Sequence, residues 1–155
     1  MKLHRERLAI FEQLGDTRSR AVTLGDIARI LVDKGQVDEA MKLHRERLAV
    51  YVQLGDADGR ANALWSIARI EMERKQAKEA LEHLTESYAI LQGIGRLDGI
   101  CMVGIDLGMA LCAGGAREKG LEILKRSLDG LKQLGQSDLA RQVQGLIDRI
   151  EGQAG

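Results

Sequence analysis

Residues 1–9 read MKLHRERLA, and residues 41–49 read MKLHRERLA again. So long a repeated string does not arise by chance, and its forty-residue offset gives a period on which to align the chain with itself. Residues 1–40 and 41–80 then share QLGD (Gln13–Asp16 and Gln53–Asp56), RA (from Arg20 and from Arg60), Leu24 with Leu64, IARI (from Ile27 and from Ile67), and QVDEA against QAKEA. The frame continues in diverged form. Leu81–Gly120 carries LGMAL in the place of IARI and AREKG in the place of the EA ending, and from Leu121 a last copy runs through KQLG (Lys132–Gly135) to LIDRI. The repeats fall at about 1–40, 41–80, 81–120 and 121–155, and self-similarity at such a period predicts one solenoid domain built of stacked repeats.

Composition agrees with a folded, helical chain. Its 155 residues are 45% hydrophobic, drawn mainly from Leu, Ile, Val and Ala, with 3% aromatics and no proline. Strong helix formers without a helix breaker predict an all-α fold. Lys plus Arg equals Asp plus Glu at 23 each, so no global field draws in nucleic acid or an anionic membrane surface. No apolar stretch has the length of a membrane span, and the first nine residues lack the apolar run of a secretion signal. A cytoplasmic protein is the expectation, in keeping with unpaired thiols: Cys101 and Cys112 lie eleven residues apart in one predicted helix, about 16 Å, too far to bridge. Both read as small packing residues.

Each repeat holds two helical segments. In the first, Ala21, Leu24, Ile27, Ala28 and Leu31 recur at three- and four-residue spacing and form one apolar stripe. Gly35 is placed to end that helix in the left-handed conformation, and Asp38 and Glu39 suit the first turn of the next. In the corner LGD, Gly55 ends the second helix and Asp56 caps its successor. Applied to all four copies, these signals predict eight helices near 1–14, 17–34, 36–54, 57–74, 77–93, 97–113, 117–134 and 138–152.

Little here suggests chemistry. His4 and His44 are repeat equivalents and His83 is the third histidine, so they read as packing residues rather than as a catalytic or metal group. GGAREKG lacks the Lys-Ser/Thr ending of a phosphate loop, and GIGRLDG is a helix corner. No catalytic residues, metal or cofactor are predicted, and the chain is not read as an enzyme.

The combination of paired helices, a small residue before each turn glycine (Ala28 and Gly35 in IARILVDKG) and an EA pair opening the second helix resembles the tetratricopeptide repeat. The forty-residue form with its LGD corner is similar to the repeats of kinesin light chains, LGN-type scaffolds and the sensor arms of bacterial signalling ATPases. The resemblance covers essentially the whole chain. It implies a right-handed superhelical solenoid of antiparallel helix pairs, with Ala28, Ala68 and Gly108, and Ala40, Ala80 and Gly120, at the close approaches. Gly104, Gly108 and Gly120 together are expected to make the third repeat the softest.

The resemblance further implies a concave groove lined by the first helix of each pair. That rule assigns to it Val22, Asp26, Arg29 and Asp33, then Asn62, Trp65, Arg69 and Glu73, then Met102, Ile105, Met109 and Cys112, and finally Gln142 and Arg149. Arg29, Asn62, Trp65, Arg69, Met109 and Arg149 are the expected peptide-binding residues: guanidiniums for carboxylates, an amide for a peptide backbone, Trp65 and Met109 for apolar anchors. Arg29 and Arg69 also have acidic neighbours at helical spacing, Asp26 with Asp33 and Glu73, with which they are placed to form ordinary surface pairs. Gly25, Trp65 and Ile105 stand where co-chaperone repeats carry a first basic residue, so grip on a chaperone tail is not expected. The implied function is a scaffold that binds a protein or peptide. The chain opens on a second helix, which suggests a piece of a longer array and leaves Leu3, Leu8 and Phe11 as an apolar strip for self-association into a homo-oligomer. A sensor arm of a larger signalling protein is the further alternative.

Overall fold

Apolar period and a left-handed glycine mark six of the seven corners between the described helices, and a capping aspartate joins them at two, Asp16 and Asp56. The computed structural model describes residues 1–153. Among them are eight α-helices and no strand: α1 (Lys2–Leu14), α2 (Thr17–Asp33), α3 (Val37–Leu54), α4 (Ala57–Glu73), α5 (Ala77–Ile94), α6 (Leu97–Ala113), α7 (Arg117–Gln133) and α8 (Ser137–Gly152). Every boundary lies within one residue of the sequence-based one, and the fold is the all-α class of tandem helix pairs. Residues 154 and 155, the end of the fourth repeat, lie outside the described residues.

The corners show why. Gly55 adopts φ 64°, the N–H of Asp56 donates back to the Tyr51 carbonyl at 3.0 Å, and the Asp56 carboxylate accepts from the Gly59 N–H at 2.9 Å. Exit from one helix and entry to the next thus share two adjacent residues. Asp16 repeats the device on Ser19 at 2.9 Å, and the hydrogen bonds from the Ser19 side chain and N–H hold its carboxyl below the usual carboxylate range. At the third such corner Gly95 keeps its left-handed backbone, but Arg96 replaces the aspartate and makes no side-chain cap. Within the pairs, Gly35 and Gly115 turn at φ 75° and 90°, while Lys75 takes φ 59° at the equivalent point. A side chain there costs about 1 kcal/mol relative to glycine.

The helices form two compact units, Met1–Lys75 and Gln76–Gly155. In the first, α1 packs on α2, α2 on α3 and α3 on α4. Its core joins Ile27, Ala28 and Leu31 of α2, Ala40 and Met41 of α3, and Ile67 and Ile70 of α4. In the second, α5 packs on α6, α6 on α7 and α7 on α8, around Cys101, Leu124, Leu128, Leu131, Val143 and Ile147. Each buried leucine or isoleucine contributes about 1.5–3 kcal/mol.

The small residues sit at the approaches. Ala28 and Ala40 are wholly buried. A Cβ at Gly108 would come within 2.9 Å of the Gly120 carbonyl oxygen, and one at Gly120 within 2.6 Å of the Gly108 carbonyl oxygen. The third-repeat glycines therefore let α6 and α7 meet backbone to backbone. Cys101 is buried and Cys112 half-buried, and burial raises both thiols above their ordinary pKa. Among the described residues no helix is long and apolar enough to cross a membrane.

Candidate functional site

The faces of α2 and α4 that do not carry the packing stripe enclose, with α3, a cavity of about 690 Å³. All the positions assigned to the groove in the first two repeats line it: Val22, Asp26, Arg29 and Asp33 from α2, and Asn62, Trp65, Arg69 and Glu73 from α4. The helical period explains this, because residues three and four apart share one face.

The individual side chains differ in how committed they are. Arg29 is largely exposed and reaches Asp26 at 3.8 Å, a pair worth a few tenths of a kcal/mol. Asn62 donates to the Asp58 carbonyl at 3.0 Å within its own helix. The Arg69 guanidinium does not turn to Glu73 but lies over the Trp65 ring, 5.7 Å from its centroid, which leaves its N–H groups to the cavity.

The floor comes from α3, a helix that the groove rule left out. His44, Arg47 and Tyr51 line the cavity. His44 is buried, and that burial, aided by the Arg47 charge, pushes its pKa down to about 4. The neutral ring accepts at Nδ1 from Arg47 Nη1 at 3.0 Å. Arg47 lies over the Tyr51 ring at 5.7 Å and against Gly25, where a Cβ would fall 2.6 Å from its Cζ. At the rim, Arg18 pairs with Asp56 at 2.9 Å. The sequence signal for this floor is Gly25: a glycine mid-helix in the column of Trp65 and Ile105 makes room for a side chain from the neighbouring helix.

In the second unit Met109 lines a separate cavity of about 440 Å³ with Cys112, Ala113, Arg117, Leu146, Ile150 and Gln153. These are the repeat equivalents, eighty residues on, of Arg29, Val32, Asp33, Val37, Ser66, Ile70 and Glu73, all but Val37 lining the first cavity, so a related concavity recurs with more apolar side chains. Arg149 is exposed on α8 and is not part of that lining. Arg117 donates to the Ile150 and Glu151 carbonyls at 2.6 and 3.0 Å and closes the end of α8.

On α1 no residue is buried. Leu3 is 74% exposed, and Ile10 and Leu14 share its outward face. Leu8 packs against the core of the first unit, and Phe11 lies under Arg7 at 5.7 Å. The open strip is therefore Leu3, Ile10 and Leu14, with Leu8 and Phe11 turned inward of it. Among the described residues no group of three His, Cys, Asp or Glu side chains is arranged to hold a metal ion.

Residues 19–93 match a family model described as tetratricopeptide repeat. No curated protein sequence matches the chain. Among solved structures, a kinesin-light-chain-type protein of Podosopora anserina with nearly identical TPR-like repeats superposes with a TM-score of 0.63 at 18% identity, over 99% of this chain and 95% of that one. BtubC (BKLC) from P. vanneervenii superposes with a TM-score of 0.72 at 17% identity, over 99% of this chain and 72% of that one. Aspartyl phosphate phosphatase F from Bacillus subtilis gives 0.73 at 13% identity, and the chain spans 46% of its length. These likenesses are likenesses of fold.

Proposed function

Because the chain belongs to the tetratricopeptide-repeat family, over residues 19–93 by direct match and beyond them by the continued forty-residue frame, we propose that it is a non-enzymatic protein-interaction scaffold. Its ligand is an extended or helical protein segment with apolar and acidic character, held in the cavity between α2 and α4. The observation that supports this most is the convergence of Arg29, Asn62, Trp65 and Arg69 on that one cavity. Trp65 offers a large flat apolar surface, and Arg69, laid over its ring, presents a guanidinium with little further rotamer entropy to lose. Packing cysteines with raised pKa suit a reducing compartment, and we place the protein in the cytoplasm.

Trp65 is the single tryptophan, so its emission reports occupancy directly. Peptides selected from a display library on the immobilised chain are expected to shift Trp65 fluorescence on titration. Arg69→Ala is expected to weaken them about tenfold, the loss of one charge-assisted hydrogen bond. Selected peptides that leave the emission unmoved and bind Arg69→Ala unchanged would remove this assignment.

A second reading rests on α1. Its exposed Leu3, Ile10 and Leu14 form a strip that another copy of the chain can cover. Sedimentation velocity over a concentration series is expected to show association in the parent chain and a monomer in Leu3→Glu, Ile10→Glu. A parent chain that stays monomeric throughout ends that reading.

A further inference from the structure

The two copies of MKLHRERLA place an arginine at positions 7 and 47, and the two arginines meet different partners. Arg7 reaches the Asp26 carboxylate of α2 at 3.9 Å. The repeat equivalent of Asp26 is Ser66, whose hydroxyl donates to the Asn62 carbonyl of its own helix at 2.9 Å. Arg47 consequently has no carboxylate partner among the described residues. Its hydrogen-bond acceptor is the neutral His44 ring, which contributes no counter-charge, and its Nε is buried without an acceptor. A half-buried guanidinium carries a desolvation cost, met here by one hydrogen bond and the face of the Tyr51 ring but by no carboxylate. Such a group in a native structure requires an explanation.

We infer that Arg47 is the carboxylate-binding residue of the first-unit cavity, and that it takes an aspartate or glutamate side chain of the bound segment. This rests on the proposed groove binding and deepens it by naming the ligand group and its place. Three features support it. The guanidinium belongs to the cavity lining. It lies between the Tyr51 ring and the bare backbone of Gly25, already turned toward the cavity. Charge then limits where the acidic residue sits. Asp33 and Glu73 are exposed at the C-terminal ends of α2 and α4 and repel an acidic side chain there. Gly25 lies two turns, about 12 Å, before Asp33. Asp26, Asp56 and Asp58 line the cavity nearer Arg47, but Asp26 is paired with Arg7 and Arg29 and Asp56 with Arg18, so a ligand carboxylate is less opposed at the Arg47 end, with Arg69 and Trp65 beside it.

The test uses a positional-scanning library of octapeptides, acetylated and amidated at the termini so that every carboxylate belongs to a side chain. The parent chain is expected to enrich Asp or Glu at one position, and the best peptide is expected to bind about tenfold or more tightly than its Glu→Gln copy. In Arg47→Gln that ratio is expected to fall to near one while the apolar part of the peptide is still held. Gly25→Ala supplies a variant that does not threaten the fold: the added methyl displaces a flexible side chain, so the ratio drops with no loss in melting temperature. A parent chain that selects no acidic residue, or an Arg47→Gln chain with the parent ratio, overturns the inference. If peptides bind in a Trp65- and Arg69-dependent way without acidic preference, only the role of Arg47 is lost. If no library peptide binds, the groove reading falls with it.

Discussion

The pairs α2–α3 and α6–α7 are the same step of the repeat, eighty residues apart, and both use glycine to let one helix admit another. In α6–α7 the glycines are Gly108 and Gly120, and what enters is backbone: each Cβ position lies within 3 Å of the other residue's carbonyl oxygen. In α2–α3 those two positions are Ala28 and Ala40. The glycine is Gly25 instead, and what enters is the far end of Arg47. One fold step thus serves two ends, a tighter helix contact in the second unit and a seated charge in the first.

The most drastic way to break the comparison is Gly120→Ala. Its methyl would meet the Gly108 carbonyl oxygen at 2.6 Å and the Cys112 sulfur at 2.4 Å, and backbone cannot step aside cheaply. A loss of about 3 kcal/mol is expected, seen as a lower urea midpoint at unchanged slope. The next largest effect is acid sensitivity. His44 stands where the second unit has the fully buried Leu84 and Leu124. Its pKa in the folded chain is about 4 against an ordinary 6.5. As pH falls the unfolded chain therefore binds the proton first. The stability tied to the neutral ring is complete above pH 6.5 and is lost on the way down to about pH 4, a change of about 2–3 kcal/mol. His44→Leu should flatten that segment of a urea-midpoint-against-pH curve.

Lys75→Gly comes third. It restores the residue that Gly35 and Gly115 supply at equivalent corners and should raise stability by about 1 kcal/mol, read from thermal melts. The smallest effect sharpens the contrast most. Gly25→Ala should stabilise by about 0.5 kcal/mol through helix propensity, opposite in sign to Gly120→Ala, because the atoms in its way are a movable guanidinium. Equal losses for the two alanines would mean that Arg47 is as immobile as a backbone.

Helix number, boundaries and corner chemistry are readable from the sequence because each rests on local signals: a 3.6-residue apolar period, a glycine that can turn left, an aspartate that can cap. The wall of the cavity is equally readable, since Trp65, Arg69 and their neighbours follow one face of one helix. Its floor is not. Arg47 belongs to a second helix; the repeat alignment displays Gly25 and the exchange of Asp26 for Ser66, but not that Arg47 fills the space at the first and has no carboxylate at the second. The pairing of Arg69 escapes the sequence for a related reason. Spacing offers Glu73 one turn ahead, but the Trp65 ring one turn behind takes the guanidinium. On α1 the pattern marks Leu3, Leu8 and Phe11 alike, and only packing separates the outward leucine from the two residues turned inward.

The duplicated opening has a kinetic consequence. A refolding chain contains two claimants for the seat between α2 and α4, since α1 carries the same nine letters as the middle of α3. The next two residues barely discriminate, because Ile10 and Phe11 have nearly the outline of Val50 and Tyr51. Correct register in α3 is held by the turn Val37–Ala40 that precedes the duplicated string, with Ala40 wholly buried. Slippage by one repeat is thus the characteristic folding error of this chain, and a bulky residue at position 40 would let it through.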